Sequence, residues 1–402
     1  YIADRYDPLR YQWRASATYA GYAKEVKISV LRKLGLVIVT LLCSNFAFAQ
    51  ADSIPIFTKF KLETRCDFDY SHVFTTHRTS GDYYKSNDYG FTGRYFNLIM
   101  GGNINEHFSY FFRQRIIPKD GMPNLFDNTD FLYLTWKINK NFSLTAGKQA
   151  LHIGSFEYDA PPIDVYFPTE FWNQVACFQL GIAATYTDDE GKNSVVVQMT
   201  NSPNLYDGTI AERIFGRGLF AYNVAWYGNF NHFKTIYSVN MIERERGKFV
   251  NYIALGNKLE FDQWSLYLDY LNRAASFKKF FADFTLVGRL DVKLGKSFVI
   301  FAKGGYDQNN AEPLGVEEPK DIMIKPGYSY TFAGMGLEFR PAVYRDLRIH
   351  ACVLYRNYGA IAPEEFDDLS SATWSANVGL TWDLNFLKFI KKNRIKIKKE
   401  NK

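Results

Sequence analysis

The chain has 402 residues, 47% hydrophobic and 17% aromatic, yet its mean hydropathy lies below zero. That balance excludes a bundle of membrane-spanning helices and fits a chain that hides an apolar face in alternation. The net charge of +6 comes from the ends: residues 1–49 and 387–402 hold 15 basic and 4 acidic side chains, leaving 33 basic and 38 acidic between them, so it signals neither nucleic-acid binding nor a positive channel.

The first element in chain order is a targeting segment at residues 24–49. Lys24, Lys27, Arg32 and Lys33 precede an apolar run from Leu34 to Leu42, and Ala47-Phe48-Ala49 follows. A charged region, an apolar region and a small-x-small site make a secretory signal, with cleavage expected after Ala49. The run is too short to cross a bilayer as a mature helix. Bulky Leu42 before Cys43 argues against lipid attachment there. Residues 1–23 lie upstream of the pattern and begin with Tyr1. They read as an over-extended N-terminus, with the start near Val26 or Val30. This leaves residues 50–386 for the fold.

The first strand follows at once. Phe60, Leu62, Thr64, Cys66, Phe68 and Tyr70 face one way, while Lys61, Glu63, Arg65, Asp67 and Asp69 face the other. Charges on one face of a strand need water or partners, and a wet lumen provides both. Further strands are expected near 91–101, 107–117, 129–138, 142–150, 175–187, 193–200, 219–228, 232–243, 249–260, 263–272, 282–293, 297–306, 328–340 and 346–357. The last, 374–386, alternates without a break from Trp374 to Phe386. Such alternation means one apolar and one polar face, and aromatics at both ends of the apolar face match interfacial girdles. The fold class is all-β: a transmembrane antiparallel β-barrel of about 16 strands.

The connections alternate in length. Long ones are expected near 75–88, 118–128, 151–174, 201–218, 273–281, 307–327 and 358–373, with one short exception at Glu243–Lys248. Between them lie compact turns such as Asn139-Lys140-Asn141, Gly228-Asn229-Phe230-Asn231 and Leu294-Gly295-Lys296. Asn, Asp and Gly suit tight turns through positive φ or side-chain to backbone bonds. Long outer loops with short periplasmic turns are an outer-membrane pattern, and an even strand count returns both ends to the periplasm. A sixteen-stranded barrel is too wide for side chains to fill and leaves an aqueous channel.

The segment after the fifth strand, 151–174, is rich in aromatics and contains Pro161, Pro162 and Pro168. Exposing so much aromatic surface is unfavourable, so it is expected to pack inside the lumen. Glu157, Asp159, Asp164 and Glu170 would then bring negative charge to a constriction. Facing them would be Arg113 and Arg115 on the third strand, Arg65 on the first, and Arg348 and Arg356 on the fifteenth. Opposed charges of this kind set ion preference; a solvated wall of paired charges is the plainer reading. Arg94 has no clear direction, because its strand is apolar on both faces.

No catalytic, cofactor or metal site is expected. The six histidines, His72, His77, His107, His152, His232 and His350, stand in no nucleophile or metal-ligand motif. Cys66, Cys177 and Cys352 have no ligand spacing. Strand one starts within about ten residues of the cleavage site, too soon for a plug domain.

The run Ala146-Gly147-Lys148-Gln149, the loop start at Gly154 and Glu157, the Ala47-Phe48-Ala49-Gln50 junction and the closing Gly379-Leu380-Thr381-Trp382 resemble the phosphate-selective porin O and porin P family in its Bacteroidetes branch. The resemblance implies a porin-like barrel of sixteen strands, a homotrimer in outer-membrane lipid and insertion by the barrel-assembly machinery. It also implies diffusion of small hydrophilic solutes or anions past rows of arginine and lysine, with no nucleic-acid partner. General porins likewise fold their third long loop inward. Two departures stand out. The third long loop holds no lysine between His152 and Trp172, and the chain runs past the expected terminal aromatic Phe386 into the basic stretch 387–402. That stretch fits either a disordered periplasmic tail or an electrostatic contact with anionic lipid or cell-wall polymer.

Overall fold

The computed structural model describes residues 56–77, 81, 83–116, 126–175, 177–203, 218–274, 280–309, 327–360 and 369–389. Residues 24–49, expected to be a signal segment, residues 1–23 and most of the basic tail lie outside this set. Among the described residues the chain forms sixteen strands. They are β1 Lys59–His77, β2 Tyr83–Asn103, β3 Phe108–Arg115, β4 Thr129–Lys137, β5 Phe142–Ala150, β6 Phe178–Thr187, β7 Asn193–Asn201 and β8 Phe220–Phe230. The second half comprises β9 Phe233–Glu245, β10 Lys248–Glu260, β11 Trp264–Ala274, β12 Asp283–Leu294, β13 Phe298–Asn309, β14 Tyr328–Phe339, β15 Leu347–Ala360 and β16 Leu369–Asn385. Each strand pairs with its sequence neighbours, and β1 closes on β16. The seam is regular from Lys61 opposite Asn385 to His77 opposite Leu369.

The barrel follows the expected strand order. The main difference is height: β1, β2, β15 and β16 run well beyond the residues needed to cross a bilayer. They absorb most of what reads in sequence as the first and last long loops. Turn chemistry works as expected at the other end. Asn231 takes φ 59° and Gly295 takes φ 66°, and Asp188 accepts the amides of Lys192 and Asn193.

Alternation sorts the two faces. On β16, Trp374, Val378, Leu380 and Trp382 are exposed outward, whereas Thr381 is buried. Trp136, Phe142, Phe230, Phe233 and Phe298 are exposed near the short-turn end, where an aromatic girdle belongs. Some pair off: Phe142 with Tyr186 at 4.9 Å and Phe298 with Phe339 at 4.7 Å.

Two bulges break the alternation and aim charges. Between β1 and β2, Arg65 faces Tyr95 and Cys66 faces Gly93, leaving Arg94 as the extra residue. This explains why the second strand looks apolar on both faces: Phe91 points outward above the bulge, and Leu98 and Ile99 are buried below it. Between β3 and β4, Arg113 faces Phe131 and Gln114 faces Thr129, so Asp130 is extra. A bulged residue escapes the strand's parity, which is how a bulge re-aims a side chain.

The end of the barrel differs by one residue from expectation. β16 stops at Asn385, and residues 386–389 form a helical turn. The Asn385 side chain accepts the Lys388 amide, which favours the turn over one more strand residue. Phe386 instead packs its ring on Phe60 at 4.7 Å. Phe60, expected on the lipid-facing side, is thereby buried. Lys388, the first cation of the basic stretch, pairs with Asp346 at 2.6 Å.

Candidate functional site

Residues 151–175 cross the lumen. They contain a one-turn helix at Phe156–Asp159, a 3-10 turn at Pro162–Asp164 and a short helix at Glu170–Gln174. Leu151, Ile153, Tyr158, Ile163, Val165, Phe167 and Phe171 are buried. Leu151, Ile153, Tyr158, Phe167 and Phe171 meet inward-facing apolar residues of the wall: Ala254, Leu271, Val287, Phe301, Phe332 and Leu354. A wet lumen would leave these exposed, so the loop and its docking surface explain each other. Each buried side chain of this size contributes roughly 1.5–3 kcal/mol.

Polar bonds fix the register. Ser238 accepts the Gly154 amide at 2.8 Å. Asp269 accepts the Ser155 hydroxyl at 2.8 Å and the Glu157 amide at 2.9 Å. Gly154 passes so close to the wall that a Cβ there would lie 2.6 Å from the Ile236 carbonyl and 2.8 Å from that of Ala254. Glu157 is buried and fully engaged. It accepts from Lys303, from the Thr169 amide at 3.1 Å and from the Thr169 hydroxyl at 2.6 Å. Lys303 also donates to the Phe167 carbonyl at 2.7 Å. Burial against Tyr227 lowers the His152 imidazole to about 4, so it carries no charge at neutral pH.

Between this loop and the wall of β1–β6, β15 and β16 lies an open cavity of about 1210 Å³. The nine side chains expected at a constriction separate here. Arg65, Arg113, Arg115 and Arg356 line the cavity. Arg348 and the four loop acids, Glu157, Asp159, Asp164 and Glu170, do not. The expected field between opposed loop acids and wall bases is therefore replaced by another arrangement. Glu157 is taken by Lys303. Asp164 pairs with Arg348 at 2.6 Å. Asp159 is exposed away from the cavity lining, and Glu170 opens the last helix, half-buried. For Glu157, 3% exposed, the reason is desolvation: a carboxylate carried inward with an apolar loop is costly unless it is paired.

Two of the expected bases are also committed. Arg65 donates to the carbonyls of Ile163 at 3.4 Å and Val165 at 3.1 Å, and pairs with Asp67 at 2.7 Å. Arg348 donates to Ile163 at 3.2 Å. Together they clamp the 3-10 turn. Tyr166 lies beneath both guanidinium groups, at 4.7 and 5.7 Å.

Further charges line the cavity. The two bulges place Arg94, paired with Asp69 at 2.7 Å, and Asp130, shared by Arg113 at 2.9 Å and Arg115 at 2.8 Å. Lys148 reaches the carbonyls of Phe126 at 2.8 Å and Asp127 at 3.2 Å. Strict alternation would put Lys148 with exposed Leu144 on the outer face. Gly147, at φ +130°, breaks that alternation, and the glycine beside a lysine was the available signal. In all, six basic and four acidic side chains line the cavity among the described residues. Its lining is net positive although residues 50–386 are net negative.

A family model described as phosphate-selective porin O and P matches residues 60–271. Comparison with curated proteins finds no match. Among solved structures, the outer membrane channel DcaP of Acinetobacter baumannii is similar with a TM-score of 0.54 at 9% identity, covering 81% of this chain and 96% of that one. OmpT folded in vitro, an outer membrane protein of Vibrio cholerae, gives 0.50 at 10% identity, covering 84% and 100%. At such identities the two structures speak for the fold alone.

Proposed function

The chain belongs to the phosphate-selective porin O and P family and forms a porin channel in the bacterial outer membrane; on that premise we propose that it passes small hydrophilic solutes with a preference for anions, phosphate among them. The observation that carries the preference is the net positive lining of the cavity. Rings of basic side chains favour anions, and Arg113, Arg115 and Lys148 share a stretch where Asp130 is held by two guanidiniums. Of the loop acids, Glu157 is paired with Lys303 and Asp164 with Arg348, and none of the four lines the cavity. Family and fold are those of a channel rather than an enzyme.

Assembly as a homotrimer belongs to the same proposal and is supported by family membership. So do contact of the outward apolar belt with outer-membrane lipid and insertion by the barrel-assembly machinery.

The test is conductance in planar bilayers under a salt gradient, with phosphate titrated against a chloride current. Anion selectivity with phosphate block is expected. Anion passage without phosphate block reduces the assignment to a general porin. Cation selectivity overturns the charge argument, and a folded trimer that does not conduct leaves only a structural or adhesive barrel.

A further inference from the structure

We propose that the cavity selects anions that carry a planar apolar body, such as aryl phosphates, over inorganic phosphate and over alkyl phosphates of equal charge. This rests on the anion-channel reading and narrows it to a substrate class. The cavity is two-sided. The barrel wall supplies its charges, whereas the loop presents Tyr158, Val165, Tyr166, Phe167 and Trp172 and no charged group.

The wall offers a donor for an anionic head. Arg113 is 7% exposed. Its guanidinium lies 4.6 Å from the Phe131 ring and 5.1 Å from the Phe178 ring. Its Nε is taken by Asp130, but its Nη2 is buried with no acceptor. A buried donor without a partner is unfavourable, and an anion oxygen would supply what is missing. Arg115 stands beside it, 5.9 Å over the same Phe178 ring.

Trp172 is half-buried and lines the same cavity. Its one ring contact among the described residues is with Tyr158, nearly perpendicular at 5.9 Å. Trp172 also packs at the edge of the buried apolar cluster, which leaves it half-buried. Tyr166, by contrast, is taken up by Phe301 at 5.2 Å and His350 at 4.4 Å. Tyr158 and Cys177 also line this cavity. Trp172 and the two guanidiniums therefore line one cavity. A bare phosphate engages only the guanidiniums. An aryl phosphate also covers the indole, a gain of about fivefold in affinity for one aromatic pair.

The experiment uses the full-length channel in planar bilayers. Phenyl phosphate, methyl phosphate and inorganic phosphate are titrated against the chloride current. Phenyl phosphate is expected to half-block at a concentration about fivefold below methyl phosphate. Trp172→Ala is expected to bring these two to the same concentration, and Trp172→Phe to keep part of the difference. Equal block by phenyl and methyl phosphate in the native channel overturns the proposal, as does a preference that survives Trp172→Ala undiminished. Failure of the underlying reading is distinguishable: cation selectivity with no block by any of the three removes both.

Discussion

Lys303→Met tests whether the buried ion pair holds the loop against the wall. Lys303 is the cation opposite Glu157, and both side chains are 3% exposed. The substitution preserves chain length and leaves Glu157 buried with the Thr169 amide and hydroxyl as partners. It also frees the Phe167 carbonyl. Removing one partner of a buried pair costs about 3–5 kcal/mol. Because Thr169 still bonds Glu157, the lower end applies. The remaining anchors are Gly154 on Ser238, Ser155 on Asp269 and the Arg65–Arg348 clamp. They keep the loop from leaving as a whole, so the loss appears as local opening around residues 167–169. At 1.4 kcal/mol per factor of ten, opening becomes about 100-fold more frequent. Hydrogen exchange at the Thr169 amide reports it directly, since that amide donates to Glu157. Adding Glu157→Gln removes the orphaned charge and should recover most of the protection, because neutralising both partners costs far less than neutralising one. Exchange within about threefold of the native rate in Lys303→Met, or a double variant as open as the single one, would refute the reasoning.

Gly154→Ala places a methyl 2.6 Å from a wall carbonyl; it should lower the temperature at which the barrel loses its heat-modifiable migration on gels, and an unchanged temperature argues against the close approach. Asp130→Asn removes the carboxylate shared by Arg113 and Arg115 and adds one net positive charge to the cavity; the reversal potential in a potassium chloride gradient should shift toward stronger anion selectivity, and a shift the other way contradicts the charge argument. Phe386→Ala deletes the ring on Phe60; with Phe386 half-buried the loss is roughly 1–2 kcal/mol, below the 3–5 of a core Phe, and slower assembly of folded barrel in vesicles measures it.

Period-two alternation determined the barrel. It is a local property of each strand, and every strand between lipid and water must obey it. The order of β1 to β16 and the short turns were therefore legible, though not the full height of β1, β2, β15 and β16. So was the inward loop, because Phe156, Tyr158, Tyr166, Phe167, Phe171 and Trp172 in one connection need cover. The roles of its charges were not legible. Glu157 looks like a free acid until β13 brings Lys303 beside it, 146 residues away in sequence. Arg65 and Arg348 read as channel cations until they are found clamping the Ile163 carbonyl. Arg94, Asp130 and Lys148 depart from the alternation that made everything else readable, through two bulges and a glycine at positive φ. Strand pairing sets where a bulge falls, and three-dimensional packing sets which charges are neutralised. The sign of the cavity, opposite to that of residues 50–386, was thus decided only in the folded barrel.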